Sequence, residues 1–264
     1  MVLRSPTPVR AAESPGTTPA SEINYSVDRL HRDQHERGHI RRELTLVKEK
    51  YGITDCTVLE VGCGLGHNLE IFKGDNRAFG IEGLPDAVAQ ARMRGLDVRQ
   101  GDLEAGIDLD TGTADWVLCL DVLEHLVNPM NLMVEIRRVL REKGRVIINV
   151  PNHFDLTGRI KIFLGHDLDV HKFFPESNEW ENPHLRFFTY RGITELVTAA
   201  GFEVVDDLSG KFWSFPKRTT VERLRLEPVI RVLARIRPSL FAGGFLLIAE
   251  KKVTGIDLRS ATAR

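Results

Sequence analysis

A short apolar segment followed by three alternating glycines constrains the fold more than any other part of the chain. Thr57–Val61 is apolar and β-branched except for one acid, which predicts a strand buried on both faces. Gly62, Gly64 and Gly66 follow, and the apolar spacing after them predicts a short helix. Glycines between a strand and a helix let a ligand approach backbone N–H groups, because glycine has no Cβ. The segment predicts an α/β fold, with either a ligand site or a ligand-free tight turn here.

Three acids near the glycines favour one kind of ligand. Glu60 lies two positions before the first glycine, and the spacing is G-x-G-x-G, not the G-x-G-x-x-G of dinucleotide sites. A carboxylate at this place attracts an ammonium group and repels a pyrophosphate. Glu82 ends the predicted strand 77–82, where an acid accepts hydrogen bonds from a ribose diol. Asp102 ends the predicted strand 97–102, within reach of an adenine amino group. Together they favour a nucleoside that carries an amino-acid group.

Strands and helices continue to alternate after this region. The further predicted strands are 114–120, 145–150, 202–205 and 245–251, and a helix is predicted from Asn128 to Arg141 with Gly144 as its stop. Two longer segments, 153–189 and 210–244, interrupt the alternation. The pattern predicts a doubly wound, Rossmann-like α/β sheet with inserts after the fifth and sixth strands.

The motifs resemble those of one superfamily. E-V-G-C-G-L-G, G-I-E, G-D-L and C-L-D-V-L-E-H occur in the order and spacing of class I S-adenosylmethionine-dependent methyltransferases, over about residues 40–207. G-D-L-E-A-G-I at 101–107 is similar to MetW-like methyltransferases, and L-D-V-L-E-H is similar to ubiquinone and menaquinone methyltransferases. The resemblance implies a seven-stranded sheet with its last strand antiparallel, and S-adenosylmethionine as the cofactor.

The strand ends and the resemblance together assign the cofactor contacts. These are Glu60 for the amino-acid end, Gly62, Cys63, Gly64 and Gly66 for close backbone approach, Glu82 and Gly83 for the ribose, Asp102 and Leu103 for the adenine, and Leu120 and Asp121 for the methionine portion.

Histidines are the candidate catalytic residues. A hydroxyl acceptor must lose its proton, and histidine is the side chain whose ordinary pKa suits that step at neutral pH. His125, four residues past Asp121, is the first candidate base, although a packing or capping histidine is the alternative. His153 is the second, and His171 and His184 would shape the substrate pocket. No metal is predicted. A nitrogen acceptor would need no strong base, so transfer to O, N or C stays open.

Several function classes compete. Methyl transfer to a small molecule, with a hydroxyl oxygen as the favoured acceptor, is the first hypothesis. The second is a non-catalytic S-adenosylmethionine-binding partner of a biosynthetic enzyme. The glycine spacing disfavours an NAD-dependent dehydrogenase. A net charge of −1 over 264 residues, and the lack of an N-P-P-Y-type tetrapeptide, disfavour action on nucleic acid.

Composition bounds the organisation of the chain. Residues 1–22 carry four prolines, which predict a disordered tail. We expect a methyltransferase domain over residues 23–253 and a frayed terminus over residues 254–264. The inserts 153–189 and 210–244 would cap a lipophilic or anionic acceptor, and the basic amphipathic character of the latter fits a solvated helix face or a lid. The three cysteines predict reduced packing residues, and no apolar run reaches about 18 residues. We expect a cytoplasmic protein without a transmembrane segment; a homodimer is compatible with the sequence.

Overall fold

The computed structural model describes residues 38–166, 173–174, 179–180, 184–216 and 218–252. The predicted tail 1–22 and the predicted frayed end 254–264 lie outside these ranges. The strands are β1 (Thr57–Val61), β2 (Arg77–Glu82), β3 (Asp97–Gln100), β4 (Ala114–Leu120), β5 (Leu140–Pro151), β6 (Phe173–Phe174), β7 (Glu179–Trp180), β8 (Phe202–Asp207) and β9 (Gly244–Lys251). The helices are α1 (Gly38–Tyr51), α2 (Leu69–Phe72), α3 (Pro85–Met93), α4 (Pro129–Val139), α5 (Leu156–Phe163), α6 (Tyr190–Ala199), α7 (Arg218–Arg223), α8 (Glu227–Ile236) and α9 (Pro238–Phe241).

One seven-stranded sheet, in the order β3-β2-β1-β4-β5-β9-β8, organises the described chain. Strands β1 to β5 pair in parallel, and β9 is antiparallel to both of its neighbours. The predicted seven-stranded Rossmann-like sheet with its last strand antiparallel is therefore confirmed. The carboxyl ends of β1 to β5 meet at one edge, the edge at which such sheets bind ligands.

Apolar side chains cover both faces of the sheet. Every residue of β1 is buried, as the apolar segment predicts. One core cluster includes Met133 of α4 and Ile193 of α6, and another includes Leu44 of α1. Helices on both faces thus fix the strands and hold their carboxyl ends in place.

Some predicted boundaries were wrong. The helix predicted to reach Arg141 ends at Val139, and β5 begins at Leu140 instead of 145. Leu140 pairs with Ala114 of β4, so sheet pairing overrides the helical pattern at this point. Gly144 lies within β5 and is not a helix stop. Strand β3 ends two residues earlier than predicted, and β8 runs two residues further.

The two inserts contain short elements. The first includes α5 and the paired strands β6 and β7. The second includes α7, α8 and α9; helix α8 buries Ile230 and Ala234 and leaves Val229, Val232 and Ile236 exposed. Their role as an acceptor cap stays a prediction. Among the described helices, none is both long enough and apolar enough to cross a membrane.

Candidate active site

The turn after β1 requires glycine at two positions for steric reasons. Gly62 has φ +65° and Gly66 has φ +77°, both in the left-handed region that disfavours other residues. A Cβ on Gly62 would lie 2.6 Å from Cγ2 of Val122, and a Cβ on Gly66 would lie 2.3 Å from Cδ1 of Leu96. Side chains from elsewhere in the fold therefore pack directly on the backbone of this turn.

Glu82 at the end of β2 links the glycine turn to the next loop. Its Oε2 accepts a hydrogen bond from the backbone N–H of Gly64 at 2.7 Å, and its Oε1 accepts one from the N–H of Leu84 at 2.9 Å. The side chain is buried. Gly83 follows it, and a Cβ there would make only an ordinary contact at 3.7 Å with the carbonyl oxygen of Gly101. The predicted ribose acid thus lies beside the predicted glycine turn.

Glu60 lies on the other side of the same turn. Only 1% of this residue is exposed, and its Oε1 accepts a hydrogen bond from Nδ2 of Asn68 at 3.2 Å. Asn68 immediately precedes α2, so the carboxylate is held near the start of that helix. A carboxylate in this position can attract a cationic group brought to the glycine turn.

Cys63 and Cys119 are buried free thiols. Burial raises the pKa of the Cys63 thiol well above its usual range, and the carboxylates of Glu60 and Glu82 raise it further. Burial likewise raises the pKa of Cys119. Neither thiol can supply a thiolate nucleophile at neutral pH, so the predicted packing role is confirmed for this pair.

Asp102 and Leu103 follow β3. Asp102 is exposed, its Oδ1 accepts a hydrogen bond from the N–H of Glu104 at 2.9 Å, and it lines a cavity of about 350 Å³ together with Ile81 and Arg99. Leu103 packs against the sheet core. Neither the glycine turn nor Glu82 lines this cavity. Asp102 therefore lines a cavity that the glycine turn and Glu82 do not line, although the neighbouring Gly101 donates its N–H to the carbonyl oxygen of Glu82.

The segment after β4 lies against the glycine turn. Leu120 ends β4, and Asp121 has φ +55°, a conformation that is uncommon for a residue other than glycine. The N–H of Asp121 donates to the carbonyl oxygen of Asn149 at 2.9 Å, and Nδ2 of Asn149 donates to Oδ1 of Asp121 at 2.5 Å. These two bonds to β5 hold the strained residue. Since Val122 packs on Gly62, this segment joins the cofactor residues to the histidines that follow.

Three histidines from distant parts of the sequence meet beside that segment. His125 ends the short 3-10 helix Leu123–His125, and its ring centroid lies 4.7 Å from that of His184. Nε2 of His153 lies 2.8 Å from Nδ1 of His184, a hydrogen bond between the two rings. The sequence predicted His125 and His153 as separate candidates, and the structure brings both together with His184. His171 lies outside the described residues.

Glu124 is the residue that sequence reasoning missed. It is 1% exposed, and its Oε1 lies 3.9 Å from Nε2 of His125 and 4.0 Å from Nε2 of His184. Its carbonyl oxygen accepts hydrogen bonds from the N–H groups of Leu185 and Arg186, at 2.8 and 2.9 Å. The signal was present in the L-E-H sequence, because an acid next to a candidate base can orient and charge-stabilise it.

The sheet order, the glycine turn and the acids at the strand ends define the chain as a class I methyltransferase-type α/β domain. A family model described as a methyltransferase domain matches residues 29–207. The chain belongs to this family. The prediction of an S-adenosylmethionine-dependent methyltransferase domain is thereby confirmed, and the finer likeness to MetW-like proteins stays a prediction.

Similar proteins are also named methyltransferases. The chain is 32% identical over 154 residues to a protein of Mycolicibacterium smegmatis named a probable S-adenosylmethionine-dependent methyltransferase, covering 57% of this chain and 53% of that one. It is 28% identical over 116 residues to a ubiquinone biosynthesis O-methyltransferase of Xanthomonas oryzae, covering 41% of this chain and 48% of that one. The chain spans about half the length of these relatives.

Solved structures share the fold at low sequence identity. The cyclase SpnF aligns with a TM-score of 0.55 and 22% identity, covering 81% of each chain. A Thermotoga maritima protein described as an S-adenosylmethionine-dependent methyltransferase, possible histamine N-methyltransferase, aligns with a TM-score of 0.53 and 17% identity, covering 86% of this chain and 98% of that one. These likenesses support the fold.

Proposed function

We propose that the chain transfers a methyl group from S-adenosylmethionine to a hydroxyl oxygen of a small molecule. The observation that carries the proposal is the path of the segment after β4. Val122 packs on Gly62 of the cofactor turn, and three residues later His125 joins His184 and His153. A cofactor held at the turn and an acceptor held at the histidines would therefore be neighbours.

The residues of the turn fit this cofactor. Gly62 and Gly66 allow the left-handed backbone of the turn and its close packing against Val122 and Leu96. Glu60 offers a buried carboxylate to the amino group of the methionine portion. Each oxygen of Glu82 accepts one backbone N–H, and a carboxylate has about four acceptor positions, so it can also accept from two ribose hydroxyls. We further propose Asp102 and Leu103 for the adenine, and Leu120 and Asp121 for the methionine portion, with Cys63, Gly64 and Gly83 as backbone contacts.

The catalytic role falls on the histidine cluster. The bound cofactor supplies an electrophilic methyl group on a sulfonium. The chain must hold the acceptor oxygen in line with it, which is the main contribution to such a displacement, and must remove the hydroxyl proton. We assign the proton to His125, with His153 as the second candidate. The carboxylate of Glu124, 3.9 Å from Nε2 of His125, would stabilise the imidazolium that forms.

The relatives and the inserts support the proposed nature of the acceptor. The O-methyltransferase relative supports oxygen as the acceptor atom. Helix α8 exposes both apolar side chains and arginines, among them Val232, Ile236 and Arg235, and α5 exposes Phe163. A cap with this composition suits a lipophilic or anionic small molecule.

A second candidate is a S-adenosylmethionine-binding protein that does not transfer the methyl group. The fold that the chain shares with the cyclase SpnF supports this second candidate, because the name of that protein describes a reaction other than methyl transfer. Binding measurements cannot separate the two candidates, so turnover must be measured.

The experiment uses isotope-labelled S-adenosylmethionine with a panel of phenols, catechols and sugar alcohols. We expect label in an ether product, a large loss of turnover in His125→Ala, and wild-type turnover in His166→Ala, since His166 is exposed on a loop after α5. Thermal stabilisation by S-adenosylmethionine but not by NAD is a further expectation. Cofactor binding without label transfer to any acceptor would favour the second candidate, and an active His125→Ala would refute the assigned role.

A further inference from the structure

The histidine cluster contains a set of groups that commonly bind metal ions. Glu124, His125 and His184 each offer one ligand atom, and these three atoms all lie within 4.8 Å of one another. The two Nε2 atoms lie 3.9 and 4.0 Å from Oε1 of Glu124. The side chains of Glu124, His125 and His184 are 1%, 15% and 10% exposed, respectively, so the set is enclosed but retains some contact with solvent.

We propose that Glu124, His125 and His184 form a binding site for a divalent transition-metal cation. Ligand atoms about 2.1 Å from a tetrahedral cation are separated by about 3.4 Å. The two separations from Oε1 of Glu124 are about half an ångström longer, and the third lies within 4.8 Å, so side-chain rotations would have to bring the three ligand atoms together. Two imidazoles and one carboxylate suit Zn²⁺, Mn²⁺ or Fe²⁺ better than Mg²⁺ or Ca²⁺, which prefer sets made of oxygen alone.

His153 acts as a positioning residue for this site. A metal-binding imidazole usually donates its second N–H to a neighbour, which fixes the tautomer and aims the other nitrogen at the metal. The 2.8 Å contact between Nδ1 of His184 and Nε2 of His153 provides such a partner. Donation from Nδ1 of His184 to His153 would select the tautomer in which Nε2 of His184, 4.0 Å from Oε1 of Glu124, carries the lone pair.

The backbone also brings the ligands together. The N–H groups of Leu185 and Arg186 donate to the carbonyl oxygen of Glu124. His184 immediately precedes these residues, and His125 immediately follows Glu124. Two ligand segments that are about sixty residues apart in the sequence are therefore fixed to each other by main-chain hydrogen bonds.

The charge of Glu124 is compatible with a bound cation. A buried carboxylate is costly unless a compensating positive charge lies near it. An imidazolium could supply one charge, whereas a dication bound by one carboxylate and two neutral imidazoles leaves a net charge of +1. That surplus would attract an anionic oxygen of the acceptor.

The catalytic part of this inference rests on the proposed function. Coordination to a dication lowers the pKa of a hydroxyl group, so the acceptor would lose its proton to water without a free imidazole base. The acceptor oxygen then bonds to the methyl carbon, and the methyl–sulfur bond breaks with its electron pair remaining on sulfur. In this scheme His125 is a metal ligand and no longer the base assigned to it above. Three protein ligands leave one or more positions open, which favours acceptors that carry two adjacent oxygens, such as catechols.

The experiment is done on the full chain, stripped with a chelator and then titrated calorimetrically with Zn²⁺ and Mn²⁺. We expect one equivalent to bind. We expect that equivalent to be lost in His184→Ala and in the isosteric Glu124→Gln, to be retained in His166→Ala, and to bind about 10–100-fold more weakly in His153→Ala. The Co²⁺ absorption spectrum reports coordination directly, and circular dichroism with S-adenosylmethionine binding checks that the variants fold.

The outcomes separate this inference from the proposed function. Failure of the folded wild-type chain to bind an equivalent, or equal binding by folded His184→Ala, overturns the metal site. Full methyl transfer by the stripped protein, abolished by His125→Ala, overturns the role of the metal and leaves the imidazole base standing. Loss of transfer on stripping, restored by Zn²⁺ or Mn²⁺, supports both. Metal binding in a chain that never binds S-adenosylmethionine supports the site and refutes the proposed function.

Discussion

Replacing Gly62 by alanine tests how closely the cofactor turn and the segment after β4 are packed. The new methyl carbon would lie 2.6 Å from Cγ2 of Val122, in a residue with φ +65°. Two carbons in contact prefer about 3.5–4.0 Å, so roughly 1 Å of overlap must be relieved by moving one of the two segments. The left-handed conformation costs a non-glycine residue about 1–2 kcal/mol, and overpacking costs about 1–3 kcal/mol.

The sum predicts that Gly62→Ala lowers the free energy of unfolding by about 2–5 kcal/mol. For a domain of this size, that corresponds to a melting temperature about 4–20 °C lower. We also expect S-adenosylmethionine to bind at least about 10-fold more weakly, a change of about 1.4 kcal/mol, because the turn shifts. Thermal melting and calorimetric titration measure the two effects.

Gly52 offers a matched control for this variant. Its φ is +58°, and a Cβ there would meet nothing within 4 Å. Gly52→Ala therefore carries only the conformational cost of about 1–2 kcal/mol and leaves cofactor affinity unchanged. Equal losses of stability in the two variants, or full cofactor affinity in Gly62→Ala, would refute the reasoning about this contact.

Three further predictions concern charge, pH and strain. Glu82→Gln should weaken S-adenosylmethionine binding about 10–100-fold, since one carboxylate acceptor becomes a donor, whereas calorimetry on exposed Glu203→Gln should find no change. Burial, and then a hydrogen bond to Asp207, raise the pKa of Tyr190 to about 12. The contribution of Tyr190 to stability is therefore fully present below about pH 10 and is lost as pH rises through 12. An ultraviolet titration should show a tyrosine ionising near pH 12 in the wild type and not in Tyr190→Phe; the same ionisation in both proteins would contradict this. Lys143 is exposed with φ +62°, so Lys143→Gly should raise the melting temperature by about 2–4 °C, and a decrease would count against strain there.

The local pattern of apolar and turn residues predicted most strands of the sheet. The ends of β1, β2 and β4 agree with the sequence prediction, because each is an apolar run bounded by turn residues. The boundary between α4 and β5 was wrong because Leu140 suits either a helix or a strand, and only its pairing with Ala114 selects the strand. Such a pairing is a long-range contact, and the local spacing of apolar residues cannot predict it.

The cofactor turn was easier to predict than the histidine cluster. Gly62 and Glu82 are marked by their positions at strand ends, and the structure joins their two loops by a hydrogen bond to Gly64. His184 lies in an insert without regular alternation, so nothing local indicated that it returns to His125. Its place depends on hydrogen bonds from the following residues to the carbonyl oxygen of Glu124, which only the folded chain reveals.

A crystal structure with bound S-adenosylhomocysteine tests the proposed function most directly. We expect the carboxylate of Glu82 to lie within about 3 Å of both ribose hydroxyls. We expect the sulfur to face His125 and His184, which meet beside the segment after β4. A nucleoside bound away from Glu82, or a sulfur turned away from the histidines, would contradict it.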